Sequence, residues 1–254
     1  MWRRGWLVAV PLMVFAATAP AQATLKSVGV FSMLGEHVDV SLSSDAPRDT
    51  RIENTERQSM DFKGIGFDLL ALRAAIGALA RDRPATKVTV FRSTAVMGTA
   101  EQRALVAGAR NAELPAWMVK TIEENRLSHV LLITRARGTL DARTGEGHGL
   151  GRGTVEGIGF HIDTLYRMKN ASTGAVSSGL LAPHAHIHLM LMDTMSAEIV
   201  ASHDIRDSFA FASTEQQEKA DPWAFMPNEE KVRTLRSMVE AGMARGMSEL
   251  LRPR

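Results

Sequence analysis

An α/β (α+β) domain built on a single mixed β-sheet is the fold this sequence predicts, and three observations carry the prediction. In the first half, short strand-like runs alternate with segments of helical period. In the second half, strand-like runs follow one another with turns between them, as in hairpins. A long amphipathic helix then closes the chain. About six to seven strands with helices packed on the sheet are expected.

The elements follow in order. Met1-Trp2-Arg3-Arg4 is a positive start, Leu7 to Ala17 is apolar, and Ala19-Pro20-Ala21-Gln22-Ala23 offers an A-x-A cleavage site. This order predicts a cleavable secretory signal over residues 1–23 and one globular domain over 24–254. The apolar run is shorter than the roughly 20 residues that a membrane span requires. Arg3-Arg4-Gly5-Trp6-Leu7 is similar to a twin-arginine signal. Paired arginines are also ordinary in secretory signals, so general (Sec) secretion is the expected route.

Residues 26–33 read as a strand, and residues 36–42 as a second, with Val38, Val40 and Leu42 alternating with polar side chains. Residues 44–64 are polar and charged and predict a long exposed loop. A helix over 66–82 places Leu69, Leu72, Ile76 and Leu79 along one face. Pro84 stops it. Residues 87–91 are the next strand. Thr99 is the expected cap of a helix over 100–109, and a second helical piece covers 115–125. The run from Ser128 to Thr134 is apolar on both faces and predicts a central strand.

Gly145, Gly147, Gly149, Gly151 and Gly153 predict a mobile connection. Three strands follow over about 157–167, 184–192 and 198–205, the last two joined as a hairpin across 193–197. The closing helix covers 229–251 with Asn228 as its expected cap. Its apolar face is Val232, Leu235, Val239, Met243, Met247 and Leu250.

Composition excludes several functions. The 254 residues contain no cysteine, so disulfides, thiol nucleophiles and a lipidated cysteine after the signal are all absent. The chain carries 30 Lys and Arg against 28 Asp and Glu, and two of the arginines, Arg3 and Arg4, leave with the signal. The mature chain is therefore formally neutral, with no electrostatic footprint for nucleic acid. No membrane span is expected after cleavage. A domain of this length buries about 70% of its unfolded surface and can hold itself together without disulfides.

Three pieces of the chain resemble a group of bacterial envelope proteins. They are the opening strand Val28-Gly29-Val30-Phe31, the run Leu127-Ser128-His129-Val130-Leu131-Leu132-Ile133 after a helix, and the paired strands around Met192-Asp193-Thr194-Met195-Ser196-Ala197-Glu198-Ile199. The group comprises the periplasmic domains of CsgG-type secretion proteins, LpoB-type activators and the amino-terminal domain of TolB. Ser196-Ala197 departs from the Thr-Gly that the group prefers. The resemblance implies a non-enzymatic envelope role and carries no site residue across.

The sharpest local pattern is His184-Ala185-His186-Ile187-His188-Leu189-Met190-Leu191-Met192. With a side-chain period of two, the three histidines and two methionines share one strand face. Imidazoles suit zinc or copper, and thioethers shift the preference towards Cu(I). If Met192 pairs with Ile199, antiparallel register places His203 opposite His188, so His184, His186, His188 and His203 form the candidate metal set. His161 is a further possible ligand. The alternative is structural: Ala185, Ile187, Leu189 and Leu191 pack beneath helices, and the histidine face is partly exposed or covered by a loop.

The glycine run lacks G-x-x-x-x-G-K-[ST] and G-x-G-x-x-G. Arg143, His148 and Arg152 could still offer a partner surface there, as could the mixed charges of Arg48 to Arg57. Hydrolase motifs such as G-x-S-x-G are missing, and an acid/base pair would have to come from Asp39, Asp163, Asp193 or Asp204. The expectation is an exported periplasmic or secreted protein that is not an enzyme, carries no cofactor and binds an envelope protein or polymer. A copper- or zinc-binding protein is the alternative, and a hydrolase with an unrecognised carboxylate pair is third.

Overall fold

A computed structural model describes residues 25–43, 56–62, 64–92, 97–111, 113–143, 149–169, 176–212 and 221–252. The expected signal, most of the charged 44–64 segment and residues 144–148 lie outside them, together with His148.

The elements are β1 (Ser27–Ser32), β2 (His37–Ser43), β3 (Glu56–Asp61), α1 (Phe67–Asp82), β4 (Lys87–Arg92), α2 (Thr99–Arg110), α3 (Ala116–Asn125), β5 (His129–Arg135), β6 (Arg137–Arg143), β7 (Gly149–Glu156), β8 (Ile158–Lys169), β9 (Val176–Asp193), β10 (Ile199–Ser208), β11 (Phe211–Ala212) and α4 (Asn228–Leu250). The fold is mixed α/β, as the alternation of periods predicts. Seven strands lie in the order β3-β2-β8-β9-β5-β1-β4, β10 and β11 join β9, and β6 and β7 form a separate two-stranded sheet.

The strand β9 organises the sheet. Its first half pairs with β8 and its second half with β5. β10 and β11 take the opposite edge. Two strands thus meet end to end along one edge of β9, and the junction falls at His186. There the backbone is stitched by three bonds: His186 N–H to Gly157 O at 2.8 Å, Ala136 N–H to His186 O at 2.9 Å, and Gly157 N–H to Ala136 O at 2.9 Å. The β6–β7 hairpin leaves the sheet from this fork, between Ala136 and Gly157.

One face of the sheet carries α1 and α4. Ala185, Ile187, Leu189 and Leu191 are buried there with Val30, Leu131, Phe67, Leu235, Val239 and Met243. The expected face of α4 is confirmed. Gly242 and Gly246 extend it, because a Cβ at either would come within 2.8 Å of Ile205. The other face carries α2 and α3 over Phe31, Met33, Val130, Leu132, Met190 and Met192.

Some local expectations are corrected. On α1 the buried side is Phe67, Leu70, Ala71, Leu72, Ala75, Ala78 and Leu79, while Leu69 and Ile76 are exposed. The alanines let the helix sit close to the sheet, and that outweighs the bulkier stripe. Gly98, not Thr99, is the cap position of α2, where the Glu101 carboxylate accepts from the Gly98 N–H at 2.9 Å. Pro227 occupies the cap position of α4, and Asn228 is its first residue. The charged loop contains an edge strand, β3, on β2. The expected glycine-rich mobile connection is, outside residues 144–148, the paired strands β6 and β7.

Candidate functional site

The histidine face of β9 is covered, not open, and it divides at the fork. Beyond the fork towards the N-terminal half of β9, His184 and His186 lie under the β6–β7 hairpin, 1% and 0% exposed. Gly138 sits against His186, and any Cβ there would be 2.5 Å from Nδ1. Leu140 and Val155 seal the same side against Leu180 and Ala182. Towards the other end, Met190 and Met192 are buried beneath α2 and α3. His188 lies between the two covers.

The two sealed rings are 5.7 Å apart and tilted by 66°. None of their four ring nitrogens has a hydrogen-bond partner of good geometry. Burial pushes His184 down to about 3, and His186 adds to the effect. Backbone near Glu156 and Ala182 opposes it without forming a good hydrogen bond. Burial likewise lowers His186 to about 4, helped by Arg206 and opposed by Asp204. Both rings are therefore neutral at pH 7. A cavity of about 120 Å³ reaches His184 between Asp39, Ser41, Arg57 and Glu156. His161 is buried beside it, its Nδ1 2.9 Å from Ser41 Oγ.

His203 does not join this group. Ile199 does pair with Met192, but the register shifts between Ile199 and Ala201, and His203 falls opposite Leu189. That single extra residue turns His203 to the other face of the sheet. Asp204 takes its place opposite His188, with Oδ1 2.6 Å from Nδ1. The Asp204 carboxyl is lowered to about 2, chiefly by this hydrogen bond and further by Arg206. Among the described residues, no three His, Cys, Asp or Glu side chains converge closely enough to hold a metal ion.

The part of the face that stays accessible lies beside α2. A cavity of about 240 Å³ is lined by Arg103, Val106, Ala107 and Arg110 of α2, by Thr134 and Arg135 at the end of β5, by Ala136, and by His188. Thr134 pairs with His188 across the β5–β9 ladder, so the two side chains share a face. Thr134 Oγ1 and His188 Nε2 are buried polar atoms without a hydrogen-bond partner. Arg103 and Arg110 are exposed at the rim.

The floor of this cavity is held by a second polar network, which sequence reasoning missed. Arg135 is 2% exposed. Its Nε donates to Leu34 O at 2.7 Å and its Nη1 to Asp39 Oδ2 at 2.6 Å, with Nη2 donating to His37 O. Gln102 of α2 accepts from the Arg135 backbone N–H at 2.8 Å. Asp68 at the start of α1 accepts from Ser32 Oγ and from the Leu34 and Gly35 amides. Gly157 has φ +73°, and a Cβ there would meet Asp39 and Arg135 within 3 Å. The only sequence signal was indirect: Arg135 ends an apolar central strand, where a charge must be paired.

Three of the four carboxylates considered for acid/base work are engaged separately. Asp39 pairs with Arg135, Asp204 with His188, and Asp193 accepts from the amides of Met195 and Ser196 in its own turn.

No protein-family model and no curated protein matches this chain. Solved structures are similar to it at low levels, among them the following three. A neuraminyllactose-binding hemagglutinin homolog from Helicobacter pylori has TM-score 0.36 and 11% identity over 92% of this chain and 90% of its own. A DUF330-family protein from Xanthomonas campestris has TM-score 0.38 and 10% identity, with the same coverage of 92% and 90%. Lipoprotein GNA1162 from Neisseria meningitidis has TM-score 0.27 and 11% identity over 88% of this chain and 99% of its own.

Proposed function

We propose that the chain is an exported, non-enzymatic protein of the bacterial envelope that binds another envelope component through the cavity beside α2. The observation that carries the binding site is the pair of buried, unpartnered polar atoms on its floor, Thr134 Oγ1 and His188 Nε2. Buried polar atoms in folded proteins nearly always have partners, and an open polar pocket is where a ligand supplies them. Export rests on the amino-terminal pattern of charge, apolar run and A-x-A. Among the described residues, no helix is long and apolar enough to cross a membrane.

Two measurements test the reading. Fractionation of the tagged full chain should recover a species shortened by the amino-terminal segment in the periplasm or medium. The mature chain immobilised on resin should retain an envelope component that an Arg103→Gln, Arg110→Gln variant loses. Retention equal in both chains would remove the cavity from the account.

A second reading, copper or zinc binding, is favoured by the four unpartnered nitrogens of His184 and His186. Those two rings would be the ligands. His188 is turned to Asp204, and His203 is on the other face. Titration with Cu(I) and Zn(II) against a His184→Leu, His186→Leu variant decides it: no binding, or binding unchanged in the variant, removes it.

A further inference from the structure

Resting on the binding reading above, we infer that the group recognised in the cavity beside α2 is a small oxyanion, a phosphate or carboxylate, free or at the end of a larger molecule. Among the described lining residues, Thr134, Arg103 and Arg110 offer donors to a ligand. Thr134 contributes one O–H, and Arg103 and Arg110 contribute guanidinium N–H groups from one face of α2, seven residues apart and so two turns along the same stripe. His188 contributes Nε2. Its Nδ1 is fixed on Asp204 at 2.6 Å, so Nε2 is the nitrogen left for the cavity.

The charges nearby point the same way. Glu156 is shared by two guanidiniums, Arg57 at 3.6 Å and Arg103 at 3.1 Å. Asp204 is shared by His188 and Arg206. Of the residues that line the cavity, Arg103 and Arg110 are exposed cations, and Arg103 shares Glu156 with Arg57. Arg135 beneath is already matched by Asp39. Among the described residues, no carboxylate lines the cavity itself.

Size sets the class. Pockets that enclose a whole drug-sized molecule run from roughly 300 to 1,000 Å³. The 240 Å³ here holds a small anion or the charged end of something longer. The forked donors of arginine match the paired oxygens of phosphate or carboxylate.

The test is a titration of the isotopically labelled mature chain with inorganic phosphate and, separately, with acetate, followed by NMR. Saturable shifts at the Thr134 amide and at the His188 ring nitrogens are expected with at least one anion, and the tighter binder identifies the preferred group. Arg103→Gln, Arg110→Gln should weaken binding at least about tenfold, and Thr134→Val about fivefold, by loss of charged and neutral hydrogen bonds. Both variants alter the rim or one hydroxyl, and a native-like spectrum checks that they fold. No saturable shift with either anion, or the same affinity in the arginine variant, overturns the inference. Its failure is separable from that of the binding reading: a chain that retains its envelope component but binds neither anion keeps the site and loses the oxyanion.

Discussion

At the scale of single residues, the histidine face shows how one strand pattern serves two purposes. His184 and His186 are sealed and neutral, whereas His188 is tied to a carboxylate beside an open cavity. The sealed pair predicts a pH dependence with a definite sign. A histidine lowered from 6.5 in the folded state to about 3 or 4 favours folding fully above 6.5. As pH falls below 6.5 the unfolded chain takes up protons that the folded chain refuses, at about 1.4 kcal/mol per pH unit for each such ring. Urea unfolding of the mature chain should therefore show stability dropping between pH 6.5 and 4. A His184→Leu, His186→Leu variant should lose much of that slope and be little changed at pH 7.5, because neither ring makes a hydrogen bond of good geometry. An unchanged slope would show that the rings are not held neutral by burial. Arg135 behaves oppositely: its charge is buried and answered by Asp39. Asp39→Ala should destabilise by roughly 3 kcal/mol in the same assay, since it strands a buried cation.

At the scale of elements, the decisive features are those where an irregularity moves side chains. The shift between Ile199 and Ala201 exchanges His203 for Asp204 beside His188, and so replaces an added imidazole ligand by a hydrogen-bonding carboxylate. Alternation along a strand is legible in sequence, but an extra residue in the partner strand leaves no periodic trace. That is why the pattern includes His203 in the metal set while the structure turns it to the other face. Close approach is equally hard to read. The face of α1 was expected from its leucines and isoleucine, yet its alanines face inward. Gly242 and Gly246 of α4 lie where Ile205 presses against the helix. Gly246→Ala gains about 1 kcal/mol of helix propensity but must displace Ile205 and Leu189, and overpacking of this kind costs about 1–3 kcal/mol. Net destabilisation is expected, with rescue when Ile205 is also changed to Ala. A double-mutant cycle by denaturant unfolding measures the coupling, and simple additivity would contradict it.

At the scale of the whole molecule, the mixed sheet, its central apolar strand β5, the hairpin β9–β10 and the closing helix were all legible, because each depends on a period that survives in one dimension. The fork at His186 was not. It arises because β9 is long enough to pair with two strands in succession, and its first eight residues, Val176 to Pro183, lie before the run that marked it as a strand. The fork in turn sends out the hairpin that seals His184 and His186, and leaves Thr134 and His188 at the floor beside α2. The candidate site is therefore a property of topology more than of any motif: its residues come from α2, β5 and β9, which are far apart in the sequence. The most direct test is a photo-cross-linker placed at Ala107, which is exposed on α2 and lines the cavity, with Lys120 on α3 as the control position. One envelope-derived adduct is expected from position 107, absent from position 120 and suppressed by Arg103→Gln, Arg110→Gln. Equal labelling from both positions, or an adduct indifferent to the arginines, would contradict a binding site beside α2.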